Sequence, residues 1–357
     1  MKSKKDSDEE TLPNVSVLIV NFNGKRWIEK FLDSVLTCNY PEDKKQVILI
    51  DNGSKDGSVE FILKKIESNQ SLQMIQNPEN LGWAKAINKG MKMATGDIVV
   101  AISNDVQVDS EWLREIVRVM DLNPKIGLIQ CNSISFWDRK TPDSGMNYLD
   151  KYGFSYGFES TGKPMAVTFA EGLAWATRRT VINQIGMLDE DYFMEFDDQD
   201  FSWRTILAGY QVFFVPTAIV YHVRGGTQGR TFFQRLRNST WYTTNQIATL
   251  IKNHSYVTLL QTLPLVVAIN FGKVIYLSLK KKPAFSFAIL KGFFELLKNL
   301  KSTLQKRWII QHTVRKVPDK EVFKYMVPFN LKLLLSFLTS QSKGNRFILK
   351  IKPPLRE

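Results

Sequence analysis

Two cysteines and three histidines are all that 357 residues offer of the side chains most used for disulfide frameworks and zinc sites. Cys38 and Cys131 cannot make a multi-disulfide scaffold or a four-thiolate metal centre. Both sit in apolar sequence, where buried reduced thiols are expected, as in a reducing compartment. The opening MKSKKDSDEE is charged with no apolar stretch behind it, so a frayed tail over residues 1–13 is expected and no secretory leader. Internal repeats and low-complexity segments are also missing. Acidic residues are scarce in one place only: residues 223–357 hold 4 Asp and Glu against 24 Lys and Arg, a balance of +20. Residues 1–222 hold 31 acids against 24 bases, a balance of −7, and the two parts make up the net +13. An acidic module joined to a strongly basic one points to an anionic surface as the partner of the second.

What is present is an ordinary globular share of apolar residues, 44%, which excludes wholesale disorder. Residues 15–20 (VSVLIV) form a continuous β-rich run of the kind found in buried parallel strands. Similar runs fall at 47–50, 72–75 and 98–102, alternating with helical periodicity at 27–36, 59–66 and 83–93. This alternation predicts βαβ units and an open, mostly parallel α/β sheet. Ligands of such sheets lie beyond the carboxyl ends of the strands, which places residues 21–24, 51–54 and 103–105 on one rim. Further helices are expected at 111–120, 180–186 and 201–208, late strands at 212–215 and 218–221, and a loop region over 140–164, rich in Gly, Ser and Tyr.

From about residue 231 the chain changes character. Residues 259–279 are largely apolar but interrupted by Gln261, Asn270 and Lys273, marginal for a spanning helix of roughly 20 apolar residues. Residues 285–308 read as a basic amphipathic helix suited to a membrane interface, and 329–338 repeat the theme. The competing use of these faces is packing on the rest of the chain or on a second copy in a homodimer. Nucleic acid is not expected as a partner, because the aromatics fall on apolar helix faces and do not interleave with the lysines.

Three features carry chemistry. Asp51 ends a strand and opens Asp-Asn-Gly-Ser-Lys-Asp-Gly-Ser, where it can accept hydrogen bonds from a base or ribose while glycines allow close approach; an ordinary turn is the plain alternative. Asp105, in Ser103-Asn104-Asp105 after another strand, can hold a divalent cation together with phosphate oxygens, or simply belong to a turn. Residues 189–200 (DEDYFMEFDDQD) hold seven carboxylates in twelve positions with Tyr192, Phe193, Met194 and Phe196 among them. Acidic surface runs rarely carry so many large apolar side chains, so carboxylates at the edge of a core are expected, one of them a general base. His222 and Arg224 follow a strand, beside Gly225 and Gly226, offering a metal ligand and a cation, with a satisfied structural histidine as the plain alternative.

Together, VSVLIVNFNG (15–24), ILIDNGSKDGS (48–58), NLGWAKAINKG (80–90), ISNDVQVDSEWL (102–113), the run 186–216 and VYHVRGG (220–226) resemble the motifs of family 2 inverting glycosyltransferases of the GT-A fold, most of all the rhamnosyltransferase-like branch. The resemblance implies a GT-A catalytic domain over residues 14–230, followed by a basic helical region over 231–357. It implies a nucleotide diphosphate sugar donor, dTDP-rhamnose or a UDP-sugar, held by Asn21, Asn23, Asp51, Asn80, Gly82, Lys85, Asn104 and Arg224. It further implies Mg2+ or Mn2+ on Asp105 and His222, and a base at Asp198, with Asp197 and Asp200 as neighbours in the same role. Two departures from the family pattern are Ser103 for the first Asp of the Asp-x-Asp motif and Asp197 for the usual Glu. Trp83, Trp175 and Trp203 are candidates for sugar stacking, with core packing as the competing use. The expected acceptor is a glycan or polyprenyl-diphosphate-linked glycan at the cytoplasmic face of the membrane. A non-catalytic nucleotide- or glycan-binding module is the alternative of another class.

Overall fold

Strand β1 (Val15–Asn21) is buried along its whole length, and its side chains alternate between two cores. Leu18 and Val20 join one hydrophobic cluster, while Val15, Val17 and Ile19 join the other. β2 (Lys45–Asp51) and β4 (Ile98–Ser103) divide in the same way. Two covered faces explain why these strands read as unbroken apolar runs. The structure is a computed structural model and describes residues 11–69, 71–224, 231–330 and 348–349. Most of the expected N-terminal tail, the glycines at 225–226 and most of the expected 329–338 helix lie outside the described residues.

β1 pairs in parallel with β2 and β4, and β2 with β3 (Leu72–Gln76). Helices α1 (Lys25–Leu36), α2 (Ser58–Ser68) and α3 (Trp83–Met93) alternate with these strands as expected. Beyond β4 the sheet turns mixed. With β5 (Val106–Val108), β6 (Ile126–Ser135), β10 (Ala174–Arg178) and β11 (Gln211–His222), its order is β3-β2-β1-β4-β10-β6-β11-β5. β10 runs antiparallel to both neighbours, while β6 and β11 are parallel. Short β9 (Met165–Ala166) pairs with β11. Helices α4 (Trp112–Leu122) and α5 (Arg179–Ile185) complete the flanks.

The region expected as loop at 140–164 holds a hairpin, β7 (Met146–Leu149) and β8 (Ser155–Phe158), antiparallel and joined by a short strand (Ile348–Leu349) on β8. Met146, Tyr148, Leu149, Phe154, Tyr156 and Phe158 are all buried, so a second small sheet hides under a loop-like composition. The acidic segment ends in α6 (Asp197–Leu207), which starts four residues before the expected helix and places three aspartates in its first turn. Carboxylates there are favoured by the helix dipole.

The basic part is helical and partly built into the core. α7 (Phe232–Asn253) starts on a capping box, with Thr231 and Gln234 satisfying each other's backbone N–H groups. Its last two turns are buried. α8 (Tyr256–Leu279) is, among the described residues, the one helix long and apolar enough to cross a membrane by length and composition. The expected amphipathic helix at 285–308 is two, α9 (Pro283–Lys298) and α10 (Leu300–Ile309), divided at Asn299. α9 lies directly on α7: a Cβ at Gly292 would stand 2.9 Å from the Thr240 carbonyl oxygen, and Thr244 donates to the Gly292 carbonyl at 2.9 Å.

Candidate active site

Asn21 closes β1 opposite Asp51 at the end of β2, and the two side chains meet, Nδ2 to Oδ1, at 2.9 Å. The other Asp51 oxygen accepts from the Gly53 and Ser54 amides at 3.2 and 3.0 Å. Asp51 is fully buried, so it shapes its loop directly. Gly53, at φ +80°, keeps that loop against Glu79, where a Cβ would meet backbone at 2.6 Å. Asn23 accepts from the Lys55 amide at 2.8 Å, tying the first two strand ends together. Asn104 reaches across from the β4 end and donates to Asn21 Oδ1 at 2.6 Å.

Asn52, which the sequence reading passed over, links this rim to the start of α3. It donates to Asn80 Oδ1 and the Gly82 carbonyl, and its own oxygen accepts from Asn77 and the Leu81 amide. Gly82, at φ +83°, allows the Phe193 carbonyl to approach to 2.6 Å of where a Cβ would be, and the Trp83 amide donates to that carbonyl at 3.1 Å. The acidic segment is thus fastened to α3. Lys85 is exposed on the same helix.

The three aspartates of the first turn of α6 have different surroundings. Asp200 is fully buried, paired with Arg204 and Lys252 at 2.9 Å each and accepting from Asn253 at 2.9 Å. Burial opposes its ionised form, but the two cations hold its carboxyl below the usual range. Asp197 is 6% exposed, and burial, then the charge of Asp198 beside it, pushes it well above that range. Asp198 is half-buried, and accepts from the Gly172 amide at 2.9 Å and the Gln199 amide at 2.8 Å. One residue on from Gly172, the Leu173 carbonyl accepts from the Ser103 amide, so Asp198 and the end of β4 share one edge. Trp83 also reaches this edge: its Nε1 and Asp198 Oδ2 lie 3.8 and 3.7 Å from the same point beside Gly172. Trp175 and Trp203 are enclosed in the core.

Past the end of β4, Asp105 accepts from the Ser103 hydroxyl at 2.7 Å and faces His222 Nε2 at 3.4 Å. His222 Nδ1 bonds Asp143 Oδ2 at 2.7 Å, and Arg224 forks onto the Asp143 carboxylate and carbonyl. Asp143 had no signal in the sequence, standing in the expected loop region. Burial disfavours the charged imidazole, but the two carboxylates outweigh it and raise the His222 pKa to about 9. Both carboxyls are held low in turn: burial raises each most, but the bond to and charge of His222, with Ser103 at Asp105 and with Arg224 and Ser133 at Asp143, together outweigh it. Cys38 and Cys131 are buried, as expected, and burial pushes the Cys131 thiol up to about 12.

Comparison with known proteins bears on the fold. Poly-beta-1,6-N-acetyl-D-glucosamine synthase of Staphylococcus aureus is 27% identical over 239 residues, covering 66% of this chain and 56% of that protein. The Staphylococcus epidermidis protein of the same name is 25% identical over 233 residues, covering 65% and 55%. The chain therefore spans little more than half the length of these curated relatives. Among solved structures, a mannosyltransferase from Pyrobaculum calidifontis in complex with GDP-Man and Mn2+ aligns with a TM-score of 0.53 at 18% identity, over 80% of this chain and 87% of that one. GalNAc-T7 with UDP, GalNAc and Mn2+ aligns at 0.60 and 16%, over 82% and 58%. These likenesses show the mixed α/β GT-A fold. Residues 16–186, a little under half of the chain, match the family model described as Glycosyl transferase family 2.

Proposed function

We propose that the chain transfers a glycosyl unit from a nucleotide diphosphate sugar to a hydroxyl of a cell-surface polysaccharide or lipid-linked glycan, with inversion at the anomeric carbon. The observation that carries this reading is Asp198, the one aspartate in the first turn of α6 that is not enclosed. It takes the proton of the attacking hydroxyl, a general-base role. Burial and the charge of Asp198 raise the Asp197 carboxyl well above its usual range, which disfavours a second charge beside the base. The rim formed by Asn21, Asn23, Asp51, Asn80, Gly82 and Asn104 receives the nucleotide, with Lys85 and Arg224 as the nearby cations.

The residues present fit a divalent ion. Asp105 Oδ2 and His222 Nε2 lie 3.4 Å apart, close enough for an oxygen and a nitrogen donor to share one ion, and phosphate oxygens can complete the set. Mg2+ or Mn2+ held there supplies Lewis-acid charge to the departing diphosphate. The Mn2+ in the two solved structures above supports this assignment. The names of the curated relatives add an N-acetylglucosamine donor to the rhamnosyl donor that the sequence motifs favour.

The acceptor is presented at a membrane. α8 exposes Val257, Leu260, Leu265, Phe271, Ile275 and Leu279, and α9 exposes Phe287, Leu290, Phe294 and Leu297. Lys280, Lys281 and Lys282 stand between the two helices. An apolar face rimmed by lysines suits an anionic cytoplasmic leaflet. Sedimentation with anionic liposomes tests this, and a protein that stays in the supernatant at moderate salt contradicts it.

The chemistry is tested with a donor panel of UDP-N-acetylglucosamine, dTDP-rhamnose and GDP-mannose, each with Mn2+, with Mg2+ and with EDTA. The expected result is metal-dependent hydrolysis or transfer of one donor. A chain that binds donors without ever cleaving them would instead be a non-catalytic binding module.

A further inference from the structure

We infer that Asp143 is a positioning residue for the metal side of the site: it orients the His222 ring so that Nε2 is turned toward Asp105. The inference rests on the metal reading above and adds a residue that no motif contains.

Asp143 stands on the strand-like return after β6, where its amide donates to the Ser133 carbonyl at 2.9 Å and its Oδ2 accepts from the Ser133 hydroxyl at 3.1 Å. It is 6% exposed. A buried carboxylate is strongly unfavourable unless several partners satisfy it. Here Ser133, His222 and Arg224 all do so, and all three belong to the two paired strands that lead to the rim or to the residues just beyond them. His222 ends β11, held in register with Ser135 on one side and Val106 on the other. The backbone holding the ring is therefore fixed, and rotation of the side chain is what remains to be set.

The two carboxylates occupy opposite edges of that ring, Asp143 at Nδ1 and Asp105 at Nε2. While bonded to Nδ1, Asp143 cannot share an ion with Asp105 and Nε2. It acts on the ion only through the imidazole. A carboxylate on Nδ1 keeps the proton there, leaves the Nε2 lone pair for a metal and fixes the ring plane, the usual arrangement behind a ligating histidine. The other Asp143 oxygen holds Arg224 Nε, so the same residue ties down the chain as it leaves β11, where Arg224 has φ +60°.

The test is Mn2+ binding to the full chain, read by electron paramagnetic resonance of free Mn2+, with and without added UDP. Asp143→Ala should weaken Mn2+ binding by about 10- to 100-fold. Asp143→Asn, which keeps an acceptor oxygen, should recover part of the loss. In a His222→Ala background the Asp143→Ala change should add nothing, because its route to the ion is gone. An equal further loss in that background would show direct or long-range action and overturn the inference, as would wild-type affinity in Asp143→Ala. If circular dichroism shows Asp143→Ala unfolded, Asp143→Asn carries the same cycle with the same outcomes. Failure of the underlying metal reading looks different: His222→Ala would then bind Mn2+ like wild type.

Discussion

The twelve residues from Asp189 to Asp200 contain two kinds of carboxylate, and their surroundings separate them. Asp189 meets Lys252 from α7 and Lys306 from α10, Asp191 meets Lys306, and Asp200 meets Lys252 and Arg204. Lys252 is itself 1% exposed. Asp198, two residues from Asp200, is only half-buried, beside Asp197, whose carboxyl burial raises well above its usual range. The first group is closed by cations, most of them from the basic half of the chain, and the second is the one proposed above as the base. Part of the +20 balance is thus spent inside the protein, fastening the C-terminal helices to the acidic segment 189–200.

Removing the cation that serves two buried carboxylates should break this contrast most severely. Lys252→Met leaves Asp189 with Lys306 and Asp200 with Arg204, and a buried pair that loses one partner is destabilised by about 3–5 kcal/mol. A urea titration should show that loss. Acid should also act on the closed side. Burial holds the His254 pKa down to about 4, with Nε2 on the Lys151 carbonyl, so folding favours its neutral form. Stability from this group is complete above its unfolded pKa, about 6.5, and is lost as pH falls toward 4, on the order of 3 kcal/mol in all. Asp189 and Asp200, held low, add losses that begin as pH falls into the unfolded carboxylate range, about 4 to 5, and continue toward their depressed folded values. Asp150, raised to about 6 chiefly by burial, works in the opposite sense, contributing fully below about 4 and losing its contribution as pH rises through 6. His254→Gln should therefore show a shallower fall in urea midpoint between pH 6.5 and 4 than wild type. The smallest effect is expected from Lys306→Ala, because its side chain is 30% exposed and Lys252 still serves Asp189. A change of about 1 kcal/mol or less is expected in the same urea assay.

How far the sequence could be read followed from how local each cause was. The parallel strands and their helices were legible because burial on both faces leaves a continuous apolar run, as in residues 15–20. The hairpin of β7 and β8 was not, since Gly, Ser and Tyr conceal one wholly buried strand and one alternating strand. Asp105, His222 and Asp198 could be named from motifs, and the structure sets the first two face to face. Asp143 could not, because its partners Ser133, His222 and Arg224 meet it only once β6 and β11 have paired. The roles of Asp198 and Asp200 could not be told apart for a similar reason: Lys252 lies 52 residues beyond Asp200 in the chain and reaches it only through the packing of α7 on α6.

The division of the acidic segment is tested most directly by measuring transfer rate and thermal midpoint together in Asp198→Asn and Asp200→Asn. Asp198→Asn should lower the turnover rate by about 10²- to 10⁴-fold, the range for loss of a general base, with donor binding and thermal midpoint near wild type. Asp200→Asn should lower the midpoint by several degrees while the folded fraction keeps most of its rate. The reverse pattern, a stable but inactive Asp200→Asn and an active Asp198→Asn, would contradict the assignment of base and clamp.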